Sequence, residues 1–496
     1  MCSLPFMVFS NTDDKPELRQ KETAEIAAML EKVPDAGPTG EQFGWNINWF
    51  LGPVMRRCDS GSDDWMVPTE SILNKLADKM ATGPDGYKGF IGPYMYNEHQ
   101  HWCDVHVGDA ILIKHLLHFA IIVHKNPALK AKYGKSARRF VDIARHDLIE
   151  KWEKRGTFVV DGQFAGFSEW NMFCKPGNMN EWYIENNARG ENVPFPSLPF
   201  NKAMDMAYCM LQLYEITGVK TYKEKAEKVF NRFKAGMNPF KNAYTWNYWE
   251  PISKFDVNIH STKNERILSH WVGTHPYRDY QVGEVELIVY AYNLGVTFTD
   301  ADIRRIINTN LNFMWNGDKS NPQWANSNSK LPGYVKPPPS EAYPTTAGTC
   351  WSALAQFDST ILLLSTSAHR TQPDYSKTIG FVRKYAPKAK VEEPAWMKGV
   401  KESEGQMEAI VIPSVVPAGE NTVILFKSDG AMSPVDIIVR PLKGGKETLI
   451  ATQKMGNGIQ LFHVWDGKIN GKRTKGEYVI IWKYRGGERA YPVSLK

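Results

Sequence analysis

A short turn between residues 269 and 280 gathers side chains that can move protons and hold an anion. They are His270, His275, Tyr277, Arg278 and Tyr280. Elimination across a sugar acid requires an enzyme to offset the carboxylate charge, remove the neighbouring carbon-bound proton and protonate the departing oxygen. A tyrosine takes a proton only when its pKa is depressed, and a neighbouring arginine or protonated histidine depresses it. These residues are the predicted catalytic group. The competing interpretation makes both histidines core or helix-capping residues.

Three further loop regions mix aromatic rings with amides and charged groups. Such rings can stack on a sugar face, and adjacent amides beside an arginine can hold hydroxyls or a carboxylate. The predicted substrate-binding residues are Asn97, His99, His101, Glu169, Trp170, Asn187, Arg189, Trp246, Trp249 and Glu250. Two plainer interpretations stay open: the Asn and Gly residues only form turns, or the rings only pack beneath the rim of a cleft.

The histidines of the first loop raise the question of a metal. His99, His101 and His106 are close in sequence, but their spacing is not one of the zinc patterns. The six cysteines are far apart and include no CxxC pair. The sequence therefore predicts no catalytic metal and no cofactor, and it leaves a structural metal ion open.

Helical periodicity returns in pairs along the first four-fifths of the chain. The predicted pairs are 104–155, broken at Asn126-Pro127; 200–217 with 221–235, joined through Gly218; 280–294 with 300–315, the second of these helices starting at a Thr299/Asp302 capping box; and 346–367 with 375–385. Irregular stretches of roughly thirty to forty residues separate the pairs, which is too long for ordinary connections. Short turns alternating with long loops predict a mainly α protein, an (α/α) toroid of helical hairpins whose long loops surround a cleft.

The sequence pattern changes after residue 390. A charged linker at 391–405 leads into seven short, β-branched segments bounded by Gly, Pro or Asp. They predict an antiparallel, immunoglobulin-like β-sandwich at 406–496, following a catalytic toroid at 1–390. Val464–Lys468 and Gly476–Val479 resemble the last strands of the flagellar-hook-cap type of immunoglobulin-like domain, which implies packing or attachment rather than chemistry.

Composition and missing motifs argue against several classes of protein. The net charge is +6, and the basic residues are scattered along the sequence rather than gathered in one stretch, which predicts no nucleic-acid partner. No GxGxxG, phosphate-loop, GxSxG or HExxH motif supports nucleotide, serine-hydrolase or zincin chemistry. The longest apolar run, near Leu116–Val123, predicts no transmembrane span. We interpret the apolar start, Met1–Phe9, as the remainder of a trimmed signal peptide with Cys2 as a former lipid-attachment site, and expect a secreted or periplasmic protein.

A family resemblance joins these regions. Trp246–Trp249, Ser269-His270, the turn that follows and Gly295–Thr299 together resemble helical-toroid polysaccharide lyases that act on alginate or glucuronan, and more distantly glucuronyl epimerases. The resemblance covers about residues 104–315. It implies a catalytic set of Asn187 or Asn97, His270 or His275, Arg278, and Tyr277 or Tyr280. The chain departs from the Asn-Asn-His run of alginate lyases, because Ala188 follows Asn186-Asn187.

The predicted function is a polysaccharide lyase that cleaves a uronate-containing glycan by β-elimination, with an anionic polysaccharide or oligosaccharide as its partner. Tyr and His would serve as base and acid, while Arg, Asn or His would neutralise the carboxylate. One alternative is a glycoside hydrolase, which needs two facing carboxyl groups. The candidates for that pair are Glu98, Asp104, Glu169 and Glu250. The other alternative is a glycan-binding protein without catalytic activity.

Overall fold

The computed structural model describes residues 16–94, 101–170, 172–184, 197–240, 242–246, 248, 257–260, 265–268, 278–324, 349–369, 394–400, 407–428, 434–454 and 460–496. The chain is helical through most of its first part and β-rich at its C-terminus. The α-helices of the described residues are α1 Pro16–Glu31, α2 Gly40–Cys58, α3 Asp63–Asp78, α4 His106–Lys125, α5 Pro127–Ile143, α6 Lys151–Lys154, α7 Phe200–Thr217, α8 Lys220–Gly236, α9 Arg278–Asn293, α10 Asp300–Asn308 and α11 Ser359–His369.

Shorter elements continue or connect these helices. The π-helical segments are Ala144–Glu150 and Thr309–Met314, and the 3₁₀ turns are Ser352–Gln356 and Ala395–Met397. The strands of the helical part are β1 Ala81–Thr82, β2 Lys88–Gly89, β3 Gly92–Pro93, β4 Trp102–Cys103, β5 Phe158–Asp161, β6 Phe164–Phe167, β7 Met172–Lys175, β8 Asn178–Ile184, β9 Asn238–Phe240, β10 Ala243–Thr245, β11 Val257–His260 and β12 Glu265–Leu268. Several of these strands occupy stretches that the sequence analysis expected to be irregular, and they are short enough to leave only a weak period-two pattern.

Local signals set the helix boundaries as predicted. The Asn126 side chain accepts from the backbone of Ala128, and Pro127 begins α5. Gly218 separates α7 from α8 in the left-handed conformation, with φ of 72°. Thr299 and Asp302 form the predicted capping box at the start of α10. The second half of the fourth predicted pair, 375–385, lies outside the described residues.

Helices α2, α4, α7 and α9 pack side by side in that order. They run parallel, because the contacts advance along both helices of each neighbouring pair: Gly44–Gly108 then Asn48–His115, Lys114–Asp205 then Lys125–Glu215, and Asp205–Glu284 then Glu215–Tyr290. His115 in α4 is hydrogen-bonded to Asn48 in α2 at 2.9 Å, and Lys114 reaches Asp205 in α7 at 3.3 Å. Helices α5 and α8 pack against α4 and α7 and return the chain antiparallel to them. The first predicted hairpins are therefore present, with one helix of each hairpin in a common parallel row.

The central helix of this row is α4. It is long and apolar enough to cross a bilayer by length and composition, with a mean hydropathy of 1.5 over its most apolar window, and it is the only such helix among the described residues. However, 89% of that window is buried inside the protein. Its apolar surface is covered by the neighbouring helices, as expected of a core helix.

A buried ion cluster fixes the start of α4. Lys151 is 0% exposed, and its ammonium contacts the carboxylates of Asp104, at 2.9 Å, and Asp109. Arg155 adds a bond to Asp104 at 2.8 Å. Burial raises the pKa of Asp104, but the charges of Lys151 and Arg155 outweigh it and hold the pKa below its usual range. Burial and the charge of Asp104 raise the pKa of Asp109. The cluster joins the end of β4 and the start of α4 to α6.

The seven strands predicted at the C-terminus are present, together with three short strands of two residues each. The strands of this part are β13 Met407–Ile412, β14 Val415–Val416, β15 Thr422–Ser428, β16 Val435–Pro441, β17 Thr448–Gln453, β18 Gln460–Trp465, β19 Lys468–Ile469, β20 Lys472–Arg473, β21 Gly476–Tyr484 and β22 Gly487–Leu495. One sheet has the order β13-β15-β18 and another the order β14-β22-β21-β16-β17. Buried side chains of both sheets belong to one hydrophobic cluster. Apart from the parallel pair β14 and β22, the pairings within these sheets are antiparallel.

The C-terminal β region is attached to the helical part through backbone groups. The Asp161 carboxylate accepts from the backbone N–H of Ser414 at 2.7 Å and of Val415 at 3.0 Å. Arg489 donates to the carbonyls of Ala235 at 3.2 Å and Met237 at 3.0 Å.

Replacing the buried lysine should be costly. Lys151→Met removes the ammonium, leaves Asp109 without this counter-charge and leaves Asp104 with Arg155 alone. We expect a loss of roughly 3–5 kcal/mol in the free energy of unfolding, measured by urea denaturation. Lys154→Met, at an exposed position of the same helix, is the control and should change stability by less than about 0.5 kcal/mol. Equal stability of the Lys151 variant and the parent chain would contradict a structural role for the cluster.

Truncating Asp161 should loosen the attachment of the C-terminal region. Asp161→Ala leaves two backbone N–H groups without their acceptor, and we expect a loss of about 1–3 kcal/mol in thermal or urea unfolding. Asp142→Ala, at an exposed carboxylate, serves as the control. If both variants unfolded with the same midpoint, the Asp161 contacts would make no measurable contribution to stability.

Candidate functional site

Four parallel helices begin at one end of the helical part. Their first residues are Gly40, His106, Phe200 and Arg278. Each helix start carries partial positive charge from its unpaired N–H groups and its dipole. An anionic group is therefore favoured at this end, which we call the N-terminal rim.

A four-stranded sheet, which we call the rim sheet, lies against the N-terminal rim. Its order is β3-β4-β7-β8, and the register pairs Gly92 with Cys103, Cys103 with Phe173, and Phe173 with Tyr183. The backbone N–H of Tyr94 donates to the His101 carbonyl at 2.9 Å, which continues the pairing of β3 and β4 by one step. Because side chains alternate along a strand, His101, Cys103, Phe173 and Tyr183 share one face.

A tyrosine–histidine pair forms on this face. The Tyr183 hydroxyl is hydrogen-bonded to Nδ1 of His101, and the two rings meet edge to face with centroids 5.4 Å apart. Phe173 packs against both, with centroids 6.2 Å from His101 and 6.3 Å from Tyr183. Both partners are half-buried. A phenol in contact with an imidazole can pass its proton to the ring and then act as a base.

Two glycines hold the sheet against the start of α2. Gly40 has φ of 78°, a conformation that favours glycine. A Cβ on Gly92 would lie 2.6 Å from the Gly40 nitrogen, so only a glycine fits there. Backbone bonds complete the junction, from Thr39 to the Ile91 carbonyl at 2.8 Å and from Gly40 to the Phe90 carbonyl at 3.2 Å. The position of the sheet is thereby fixed relative to the N-terminal rim.

A buried carboxylate follows Gly40 at the N-terminal rim. Glu41 is 1% exposed, and its Oε1 accepts from the Trp45 indole at 3.4 Å and from the Lys202 ammonium at 3.4 Å. Its Oε2 has no hydrogen-bond partner among the described residues. Burial, together with the charges of Asp104 and Glu41, raises the pKa of the Cys103 thiol well above its ordinary value. Glu41 and Lys202 thus lie beside β4, the strand that His101 directly precedes.

A second buried carboxylate lies in α9. Glu284 is 0% exposed, and the Trp246 indole donates to its Oε2 at 2.7 Å. Burial is the main cause that raises the pKa of Glu284 to about 8; the charge of Asp205 adds to it, and the indole bond opposes it. This group is therefore largely protonated at neutral pH.

Only part of the predicted site falls within the described residues. The predicted residues outside them are Asn97, His99, Asn187, Arg189, Trp249, Glu250, His270, His275 and Tyr277. Arg278 begins α9. Tyr280 lies in the first turn of that helix, half-buried, with its ring 4.8 Å from the ring of Tyr248. The Tyr248 carbonyl accepts from the first residue of α7, Phe200, at 3.0 Å, so Tyr280 lies at the N-terminal rim.

One predicted sugar platform is wrong. Trp246 is 0% exposed and packs 5.9 Å from Phe233 and 5.6 Å from Trp351, so its ring cannot meet a sugar. Its position in the chain suggested a loop, while its apolar area is buried in the core. Trp170 is half-buried; it packs edge-on against Trp152 at 6.2 Å and lies 4.6 Å from the Arg155 guanidinium, and its role in substrate binding stays a prediction.

Two polar candidates are also structural. Asp104, considered for a hydrolytic pair, is 0% exposed and held by Lys151 and Arg155. His106 stacks on Trp152 at 3.6 Å and shares a 2.8 Å hydrogen bond with Thr157. Burial lowers the pKa of His106 well below its ordinary value, so its ring is neutral. Within the described ranges, no group of three or more His, Cys, Asp and Glu side chains is arranged to hold a metal ion. Glu169 is half-buried.

Comparisons with known proteins add little. No family model matches the chain, and no curated protein matches it. One solved structure, Pseudomonas fluorescens alkylpurine DNA glycosylase AlkC bound to DNA containing an abasic site analog, is 8% identical over 97% of each chain, with a TM-score of 0.16. That structure is a DNA complex, so we withdraw the exclusion of nucleic acid as a partner. A likeness at this TM-score carries no argument about the fold or function of this chain.

The buried carboxyl of Glu284 should make stability depend on pH. Its pKa rises from 4.5 in the unfolded chain to about 8 in the fold. The folded protein therefore binds more protons between these values, and stability falls as pH rises from about 4.5 to 8. Glu284→Gln should flatten this slope, measured as the unfolding midpoint at several pH values. Glu286→Gln, half-buried on the same helix, should leave it in place. A parent chain that gained stability over this range relative to Glu284→Gln would contradict the assignment.

Proposed function

We propose that this chain is a polysaccharide lyase that cleaves a uronate-containing glycan by β-elimination at the N-terminal rim. The observation that carries the proposal is the hydrogen bond between the Tyr183 hydroxyl and His101 Nδ1 on the face of the rim sheet. His101 was predicted to bind substrate, and here it gains a role in proton transfer. Tyr183 takes the part that the sequence analysis gave to Tyr277 or Tyr280.

The pair supplies both proton transfers of the reaction. The phenol proton moves to His101 Nδ1, and the phenolate oxygen of Tyr183 removes the C5 proton of the uronate. The electron pair of that C–H bond forms the C4–C5 double bond, and the C4–O bond breaks. The departing oxygen takes a proton from the Tyr183 hydroxyl that has just formed, and His101 returns its proton to the phenolate. One bond to oxygen is broken, no redox change occurs, and both residues end as they began.

The N-terminal rim supplies the positive field that elimination requires. Negative charge develops on the uronate carboxylate when C5 loses its proton, so fixed positive groups near it lower the barrier. Four helices begin there, and the Lys202 ammonium, which also contacts the Glu41 carboxylate at 3.4 Å, lies in the first turn of α7 at 16% side-chain exposure. Lys202 is an additional candidate for offsetting the carboxylate. The roles predicted for Asn187, which lies outside the described residues, and for Arg278 stay predictions.

The architecture we propose for this activity is an incomplete (α/α) toroid followed by a β-sandwich. The parallel row α2-α4-α7-α9, backed by α5 and α8, supports the toroid. Two sheets that share one hydrophobic cluster support the sandwich. In such a toroid the loops at the helix starts surround the substrate, which is where the Tyr183–His101 pair stands.

Loss of the phenol should abolish turnover without unfolding the protein. Tyr183→Phe keeps the ring packing against Phe173 and removes the hydroxyl. We expect kcat to fall at least about a hundredfold. The assay incubates the protein with alginate, glucuronan, pectate and ulvan and follows the ultraviolet absorbance of the conjugated product. Tyr222→Phe, half-buried in α8, is the control and should retain full activity.

The same assay separates the competing functions. New reducing ends without the absorbance would indicate a hydrolase and contradict the proposal. Binding without any cleavage would indicate a glycan-binding protein. Full activity in Tyr183→Phe would remove the pair from the mechanism even if the product were unsaturated.

A further inference from the structure

Strand β6 is buried on both of its faces. All four of its residues are buried, and successive side chains of a strand point to opposite faces. Phe164 belongs to the hydrophobic cluster of the C-terminal β region, whereas Ala165 and Phe167 belong to the cluster of the helical part. Strand β6 therefore lies between the two hydrophobic cores, with one face in each.

The C-terminal β region holds one face of β6. The centroid of the Phe164 ring lies 5.0 Å from that of Tyr491. The turn between β5 and β6 lies against the same region, because a Cβ on Gly162, whose φ is 62°, would be 3.3 Å from the Ser414 hydroxyl oxygen. The Asp161 carboxylate also accepts from the backbone N–H of Ser414 at 2.7 Å. Ring packing and turn contacts thus attach the hairpin to the C-terminal β region.

The end of β6 carries the start of α7. The backbone N–H of Leu198 donates to the Phe167 carbonyl at 2.7 Å, and Ser168 forms a β-bridge with Ser197. Helix α7 begins two residues after Leu198, and Lys202 lies in its first turn. A displacement of β6 is therefore transmitted through backbone contacts to Lys202 at the N-terminal rim.

Strand β6 cannot hold this position by its own pairing. It pairs with β5 in a sheet of two strands. An isolated two-stranded hairpin is marginally stable in water, so the packing on its faces fixes where it lies. The helical part, including α8, packs on the hairpin from one side, and the C-terminal β region packs on it from the other. Both sides are needed to fix β6.

We propose that Phe164 is a positioning residue: the C-terminal β region holds β6 through this ring, and β6 holds the start of α7, with Lys202, at the N-terminal rim. This inference rests on the proposed function, in which Lys202 offsets the charge of the uronate carboxylate. It gives the C-terminal β region an influence on the reaction without any contact between that region and the substrate.

The first readout is hydrogen exchange of the Leu198 amide, measured by mass spectrometry on peptides from the full chain. Phe164→Leu keeps the position apolar but removes the ring, so β6 is held less firmly and exchange at Leu198 should become about tenfold faster. Phe426→Leu is the matched control. Phe426 is buried in the same hydrophobic cluster, and its ring packs against Trp482 and Tyr484 of the C-terminal β region. This variant should leave exchange at Leu198 unchanged.

The second readout is the formation of unsaturated product. Lys202 would act on charge that develops in the transition state, so Phe164→Leu should lower kcat about tenfold and change KM less than about twofold. In the Lys202→Met background, Phe164→Leu should have little further effect on kcat, because the group that it positions is absent. A residue that only stabilised the fold would lower kcat equally in both backgrounds.

The outcomes separate this inference from the proposed function. Unchanged exchange at Leu198 in Phe164→Leu, or an equal increase in Phe426→Leu, would overturn the positioning role of Phe164. Faster exchange with the same kcat as the parent chain, or equal losses of kcat with and without Lys202, would overturn it as well. Faster exchange confined to Phe164→Leu, in a chain that forms no unsaturated product, would support the attachment of α7 through β6 and contradict the lyase.

Discussion

The buried ammonium of Lys151 is the constraint on which the rest of the site depends. It lies at the end of a π-helical segment and contacts Asp104 and Asp109 on either side of the start of α4. The Lys151 charge is 0% exposed, and a buried charge is tolerated only when it is paired. Lys151, Asp104 and Asp109 must therefore stay in contact in the folded protein. Since Asp104 directly follows β4, the same contact fixes the end of the strand that His101 precedes.

The positions of the reacting groups follow from that anchor and from the glycine junction. The ion cluster fixes β4 from one side, and the contact between Gly40 and Gly92 fixes β3 to the start of α2 from the other. The rim sheet is therefore held at both ends of its first strand pair. Tyr183 reaches His101 because β8 joins this sheet through β7, in a register set by the pairing of Phe173 with Tyr183. The position of the site is therefore set by contacts between backbone segments more than by the side chains that would take part in the reaction.

Much of the fold was predictable because its signals are local. The capping asparagine before Pro127, the left-handed Gly218 and the capping box at Thr299 act within a few residues, and each appears where the sequence placed it. The seven C-terminal strands also coincide with β-branched segments bounded by turn residues.

The candidate site was harder to predict because it depends on distant pairs. Tyr183 lies 82 residues from His101, and no local pattern joins them. Trp246 looked like a loop platform, yet its large ring is packed against other aromatic side chains.

The proposed proton transfer depends most directly on the state of the His101 imidazole. If Tyr183 donates to Nδ1, then Nδ1 carries no proton and the neutral ring is protonated at Nε2. Nitrogen-15 NMR of histidine-labelled protein, with His101 assigned by its absence in His101→Gln, distinguishes these forms. We predict an unprotonated, hydrogen-bonded Nδ1 whose shift changes in Tyr183→Phe. A proton on Nδ1, or a shift indifferent to Tyr183, would contradict the proton-transfer pair.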